Sequence, residues 1–234
     1  MSAARIPLAV IGDGRMGRSV RHLADGAGFE VVAFLGKADV GARGPSKGQL
    51  RGAAVAIEFS VPAAAAPNVL GCVEAGVPVV CGTTGWDAER PKVEDEVRRA
   101  GGGLLWSPNF AVGVHVLTRL VERAAADAAR AGGFSAQIVE THHAAKKDAP
   151  SGTARLLAER AGEAFGSPVP IASVRTGHVP GTHEVIFDAL YEQLRLVHEA
   201  RDRSVFAAGA RAAASWLGDR RGIFTMDDFL GTHR

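Results

Sequence analysis

The chain has 234 residues, 47% of them hydrophobic and 22% charged, which is enough for one large domain or two small ones with real cores. A formal net charge of +2 and the lack of a long basic run speak against nucleic acid as a partner. No apolar stretch approaches the roughly 20 residues of a bilayer span, and MSAARIPLAVIG enters a strand-like run without a cleavable signal pattern, so no membrane is expected.

The first half alternates short β-rich runs with helix-length segments. IPLAVI (6–11) is a strand candidate, followed by a helix from about Arg15 to Ala27. FEVVAFL (29–35) is a second strand and VAIEFS (55–60) a third. An Ala-rich helix over 62–75 leads to VPVVCG (77–82), a charged helix over 87–100 and LLWSPN (104–109). This alternation predicts an α/β fold with a parallel sheet covered on both faces. The Gly/Ala-rich stretch 36–54 has little apolar pattern and reads as loop, an abbreviated crossover.

The second half differs. A long helix is expected over 111–130, a strand over 134–143 and a helix over 151–165. VPIASVR (169–175), GTHEVIFDAL (181–190) and EQLRLVHEA (192–200) follow, the last two like an antiparallel pair. Consecutive strands without intervening helices predict a second, α+β domain with a mixed or antiparallel sheet. The tail over 203–218 is again helical and is expected to pack back on the first domain. Cys72 and Cys81 are the only cysteines and form no metal spacing. No metal is expected, and two buried, reduced thiols place the protein in the cytoplasm.

Gly12-Asp13-Gly14-Arg15-Met16-Gly17 fits G-x-G-x-x-G between a strand and a helix. The first glycine permits the tight turn, the second lets backbone approach a pyrophosphate, and the third lets helix and strand pack closely. In that context the motif predicts a Rossmann-type, doubly wound sheet binding a dinucleotide at a helix N-terminus. A carboxylate at the end of the second strand would hold the ribose of NAD. Here that position reads Phe34-Leu35-Gly36-Lys37, with no acid until Asp39. Lys37, helped by Arg15, Arg43 or Lys47, is the candidate for a 2′-phosphate, so NADPH is expected to serve at least as well as NADH. Gly82-Thr83-Thr84-Gly85 and Ser107-Pro108-Asn109-Phe110 are polar turns at the carboxyl ends of expected strands, where ligands of open α/β sheets bind.

Residues 140–154 read ETHHAAKKDAPSGTA, two histidines and two lysines between a strand and a helix start. With Ser151 as N-cap, the N–H groups of Gly152 and Thr153 point outward and can bind an anion. Lysine, histidine and a helix N-terminus on one spot suit carboxylates.

This pattern, E-x-H-H-x-x-K-x-D-x-P-S-G-T-A, closely resembles the signature of dihydrodipicolinate reductases of bacterial lysine biosynthesis, now called 4-hydroxy-tetrahydrodipicolinate reductases. GTTGW (82–86), SPNFAVGVHVL (107–117), Arg175-Thr-Gly177, PGTH (180–183) and RSVFAAGARAAASWL (203–217) also resemble the family, in order. The likeness is weakest over 36–54, where the ribose-binding acid of NADH-using members would lie. The resemblance implies that His142 is the catalytic acid/base and Lys146 a proton donor that also contacts substrate. His143 would hold a substrate carboxylate, and Gly152 with Thr153 the same ligand. Gly12 to Gly17, Gly82 to Thr84 and Ser107 to Phe110 would meet NADPH or NADH. Lys147 and His183 would be secondary, and Arg175 a loop residue reaching ligand or a neighbouring subunit.

It further implies a dinucleotide-binding domain of residues 1–110 plus 204–234 and a substrate-binding and oligomerisation domain of 111–203. Closure would hinge near Phe110 and Arg203, in a homotetramer whose second-domain sheets pack together. Two other readings stay open: a two-domain dehydrogenase of the semialdehyde type with Cys81 as nucleophile, and a non-catalytic NAD(P)-binding sensor.

Overall fold

In the computed structural model, which describes residues 4–24 and 28–231, the strand β1 (Ile6–Ile11) has Leu8, Ala9, Val10 and Ile11 all buried. A continuous apolar run buried on both sides is what a parallel strand under two helical layers requires. Helix α1 (Arg15–Ala24) turns Val20 and Ala24 inward; its expected continuation over 25–27 lies outside the described residues. Strand β2 (Phe29–Leu35) follows. The stretch expected to be loop contains a one-turn helix, α2 (Lys47–Leu50). Its cause is local: Ser46 caps Gln49 N–H while the Gln49 side chain reaches back to Ser46 N–H (2.8 Å), a capping box legible as S-x-x-Q. Gln49 also donates to the Asp39 carbonyl, so the turn after β2 is tied to this helix.

Strand β3 (Val55–Glu58), helix α3 (Pro62–Glu74), strand β4 (Val79–Cys81), helix α4 (Arg90–Arg99) and strand β5 (Gly103–Trp106) complete the alternation, each close to its expected place. Then come helix α5 (Val112–Ala131), strand β6 (Ser135–His142), helix α6 (Gly152–Phe165), and strands β7 (Ile171–Arg175), β8 (Thr182–Asp188) and β9 (Gln193–Glu199). Helix α7 (Ser204–Leu217), strand β10 (Gly222–Phe224) and helix α8 (Met226–Phe229) end the described chain. Neither β10 nor α8 was expected. Three residues carry no readable period, and β10 exists because β5 offers it a parallel edge.

The chain divides into two compact units, one of residues up to Ala111 with those from Ser204 onward, the other Val112–Arg203. The first holds a six-stranded parallel sheet in the order β10-β5-β4-β3-β1-β2, a doubly wound arrangement. The order reverses between β1 and β3, so the ligand crevice of such a sheet opens beyond their carboxyl ends. Helix α7 packs on α1, β3 and β4 within this unit.

The second unit has a mixed four-stranded sheet, β7-β6-β8-β9, with β6–β7 parallel and the other pairings antiparallel. Its core joins Leu117, Val121 and Ala125 of α5, each four residues apart, to Ala154, Leu157 and Ala161 of α6 and to Ile138, Val185 and Phe187 of the sheet. Deleting a buried side chain such as Leu157 would cost about 2–5 kcal/mol.

Candidate functional site

The loop after β1 is shaped by close backbone approach. Gly12 has φ +103°, and a Cβ there would lie 2.0 Å from the Phe59 carbonyl oxygen. A Cβ on Gly17 would lie 1.8 Å from the Gly12 carbonyl oxygen. Around Gly14, by contrast, nothing lies within 4 Å of that position. This open backbone at the start of α1 is the space a pyrophosphate needs, and the first N–H groups of the helix have no partner within it. The geometry therefore fits a dinucleotide. Arg18 Nε donates to the Asp13 carbonyl (2.8 Å) and braces the loop, a contact the motif alone did not announce. Asp13, Gly14 and Arg15 are exposed and Met16 is half-buried.

The turns after β4 and β5 stand on the same edge of the sheet. A Cβ on Gly82 would strike the Phe59 ring (2.0 Å), and Phe110 meets that ring edge-on at 5.9 Å between centroids. Thr83 is turned inward: its Oγ1 accepts from Ser60 N–H (2.8 Å) and its carbonyl from the indoles of Trp86 (2.7 Å) and Trp106 (3.2 Å). Thr84 and Pro108 are exposed. Ser107 Oγ donates to the Asn109 carbonyl (2.6 Å), and Asn109 Oδ1 accepts from Ala111 N–H (2.8 Å), which fixes that turn.

Beneath these turns sits a buried carboxylate that no motif in the sequence singles out. Glu58 accepts from Ser60 N–H (3.1 Å), Asn68 Nδ2 (3.2 Å) and Cys81 Sγ (3.2 Å). Burial, reinforced by Glu58, pushes the Cys81 thiol well up, so this fully buried cysteine is no nucleophile. The semialdehyde-type reading loses its reactive group. Lys37 is exposed on the turn after β2, where the Asp39 carboxylate is engaged by Gly36 N–H (2.7 Å).

The second unit gathers the polar signature at one end of its sheet. Side chains alternate along a strand, so Glu140 and His142 share the inward face of β6 with Ile138, and all three are buried. Glu140 contacts His142 Nδ1 through Oε2. Its Oε1 accepts from Arg175 Nη2 (2.6 Å) and Ser151 N–H (3.2 Å). Arg175, at the end of β7, also donates to the carbonyls of Asp148 (2.5 Å) and Val174 (2.8 Å). Lys146 Nζ donates to Asp148 Oδ1 (2.7 Å), while His143 is half-buried and Lys147 exposed.

Ser151 caps α6 as expected, accepting from Ala154 N–H (3.2 Å), with Gly152 exposed and Thr153 half-buried beside it. Its Oγ also meets His183 Nε2 (3.1 Å), and the His183 ring lies edge-on to His142 at 5.1 Å. Glu140, Arg175 and His183 thus belong to the site at least as closely as the lysines do. The signal for Glu140 was present: a carboxylate in phase with buried Ile138.

Electrostatics follow from these contacts. Burial works against an ionised Glu140, but hydrogen bonds from Arg175, Ser173 and His142 outweigh it and hold the carboxyl at about 2. Burial pushes His142 below its usual range; Glu140 pulls it back up, while Lys146 and Arg175 add to the lowering. Burial, joined by the neighbouring His142, takes His183 down to about 4. The donor atoms of Glu140, His142 and His183 lie within 4.8 Å of one another, close enough for a metal ion. The Arg175 guanidinium already on Glu140 opposes a second cation there. A carboxylate-bearing ligand is the better match.

Comparisons with known proteins cover nearly the whole chain. A family model described as "Dihydrodipicolinate reductase, N-terminus" matches residues 6–110, and one described as "Dihydrodipicolinate reductase, C-terminus" matches 113–230. The chain is 34% identical over 235 residues to the 4-hydroxy-tetrahydrodipicolinate reductase of Christiangramia forsetii, covering 95% of this chain and 97% of that protein. It is 40% identical over 241 residues to that of Xanthomonas campestris pv. campestris, covering 93% and 94%. Among solved structures, a dipicolinate-bound dihydrodipicolinate reductase from Paenisporosarcina sp. TG-14 has the same fold, with a TM-score of 0.79 at 22% identity over 94% of this chain and 97% of that one. An amine dehydrogenase from Mycobacterium smegmatis shares the fold at a TM-score of 0.65 and 11% identity, over 96% of each chain.

Proposed function

The chain belongs to the dihydrodipicolinate reductase family, and from that premise we propose that it reduces 4-hydroxy-tetrahydrodipicolinate to tetrahydrodipicolinate, in the diaminopimelate and lysine pathway, with NADPH or NADH. The observation that carries this reading is the polar signature of residues 140–154, folded so that His142, Lys146 and the N-terminus of α6 stand at one end of the second unit's sheet. It is what a sensor without chemistry would have no need to keep.

A reduced nicotinamide, when bound, supplies the hydride. The first unit binds and orients it with the Gly12–Gly17 loop, Gly82 to Thr84 and Ser107 to Phe110; Thr83 and Phe110 act by shaping the turns, since both are buried. The substrate is a cyclic imine dicarboxylate, which loses its hydroxyl as water to give a conjugated dihydropyridine, and the hydride adds to one end of that conjugated system. His143, Lys146 and the N–H groups of Gly152 and Thr153 hold its carboxylates and orient the ring. As hydride arrives, negative charge develops toward the ring nitrogen and its neighbouring carbon, and His142 and Lys146 supply the proton. Burial disfavours protonated His142, and a dianionic ligand beside it favours that form.

NADPH is taken at least as well as NADH, because the first acid in the chain after β2, Asp39, is engaged by Gly36 N–H while Lys37 stands exposed. The protein acts in the cytoplasm, in keeping with two free, buried cysteines, and no helix among the described residues is long and apolar enough to cross a membrane. Homotetramers form through the sheet face away from α5 and α6, where Val174 and Val197 are exposed and Arg195 pairs with Glu184 (3.0 Å). Light scattering would test that assembly.

The test of activity generates the substrate in place from pyruvate and aspartate semialdehyde with the upstream synthase, and follows nicotinamide absorbance with each cofactor. Substrate-dependent oxidation is expected. Tight cofactor binding without oxidation would return the protein to the sensor reading.

A further inference from the structure

Glu140 has the position of a side chain with two tasks. It is fully buried in β6, and each of its oxygens is engaged. An ionised carboxylate only accepts hydrogen bonds. With Arg175 and the Ser151 N–H both donating to Oε1, the atom that faces Oε2 must donate as well. That atom is His142 Nδ1, so its proton sits there and the second ring nitrogen, Nε2, is the one that exchanges protons with a ligand.

Gly181 leaves room at that nitrogen: a Cβ there would lie 3.0 Å from His142 Nε2. We propose that Glu140, braced by Arg175, is a positioning residue that fixes the orientation and proton position of His142 and, through Ser151, seats the helix end that receives the substrate carboxylate. This rests on the reading of His142 as the proton donor.

The other charged or titratable groups around His142 do not set its tautomer. His183 faces it edge-on and is already engaged by Ser151 Oγ, whose hydroxyl proton is free because the oxygen accepts from Ala154 N–H. Lys146 is held by Asp148, and His198, opposite His183 on β9, lies beside Gly113 of α5. His183 therefore offers His142 no carboxylate.

The decisive variant is Glu140→Gln. Arg175 and Ser151 N–H still demand an acceptor at the Oε1 position, so the amide oxygen goes there and the NH₂ group faces His142 Nδ1. Two donors then face each other unless the imidazole proton moves to Nε2. The experiment is ¹⁵N NMR of the histidine rings in the full-length protein, with His142→Gln identifying the signal, alongside steady-state kinetics.

Wild-type neutral His142 is expected to be protonated at Nδ1, and Glu140→Gln to reverse this with kcat down about 10²–10⁴-fold. The Glu140→Gln activity optimum should also move to lower pH, since the carboxylate that favours imidazolium is gone. A wild-type signal showing the proton on Nε2 would overturn the proposal whether or not Glu140→Gln folds. Near-normal turnover in His142→Gln with the expected tautomer would instead sink the proton-donor reading, and the positioning role with it.

Discussion

His183 makes the second unit acid-sensitive in a way that can be worked through. Its imidazole is 5% exposed and titrates at about 4 in the folded chain, against 6.5 when unperturbed. The folded value is depressed, so the unfolded chain takes up the proton first as pH falls. Stability from this residue is complete above pH 6.5 and is lost progressively toward pH 4. Between pH 7.5 and 4.5 the loss is about 2–3 kcal/mol, since a tenfold difference in proton affinity between the folded and unfolded chain is worth about 1.4 kcal/mol.

His183→Gln removes the titration while keeping a polar side chain opposite Ser151. The variant starts from a lower stability at pH 7.5, but its stability falls less between the two pH values, by that same about 2–3 kcal/mol. Glu140 contributes its own loss mainly below that window, as pH falls from 4.5 toward 2, and it is common to both proteins. Hydrogen–deuterium exchange of β6 and β8, corrected for intrinsic rates, reads the local stability directly. Parallel pH dependence in wild type and variant would show that His183 is not held neutral by burial, and the account of the site's electrostatics would have to be redrawn.

Replacing the proposed proton donors, His142→Gln and Lys146→Ala, is expected to lower turnover by about 10²–10⁴-fold with cofactor binding retained, measured by the coupled assay and by nicotinamide fluorescence. Lys37→Glu places a carboxylate beside the expected ribose site and should shift the NADPH/NADH ratio of kcat/KM toward NADH by about tenfold or more; an unchanged ratio would free Lys37 of any role in the preference. Gly17→Ala puts a methyl group 1.8 Å from the Gly12 carbonyl oxygen, so the loop must shift. Stability should fall by about 1–3 kcal/mol and dinucleotide affinity with it, read by thermal unfolding and by titration of NADPH.

Much of the fold is local in origin and could be read along the chain. Continuous apolar runs such as Leu8–Ile11 demand a sheet covered on both faces, G-x-G-x-x-G demands a strand, a tight turn and a helix, and Ser151 marks the start of α6. The His142 to Thr153 signature likewise carried the proposed chemistry in residue types and spacing. The one-turn helix α2 was equally local, its capping box hidden among glycines.

Other features have no local cause. Strand β10 forms against the edge of β5, more than a hundred residues earlier in the chain. Arg175 reaches Glu140 across 35 residues and His183 reaches Ser151 across 32, because β7 and β8 flank β6 in the sheet. Period-two alternation shows that Glu140 points inward with Ile138. Only the register of three strands decides that a guanidinium waits there to keep it ionised, and that the same carboxylate can hold both a histidine and a helix end.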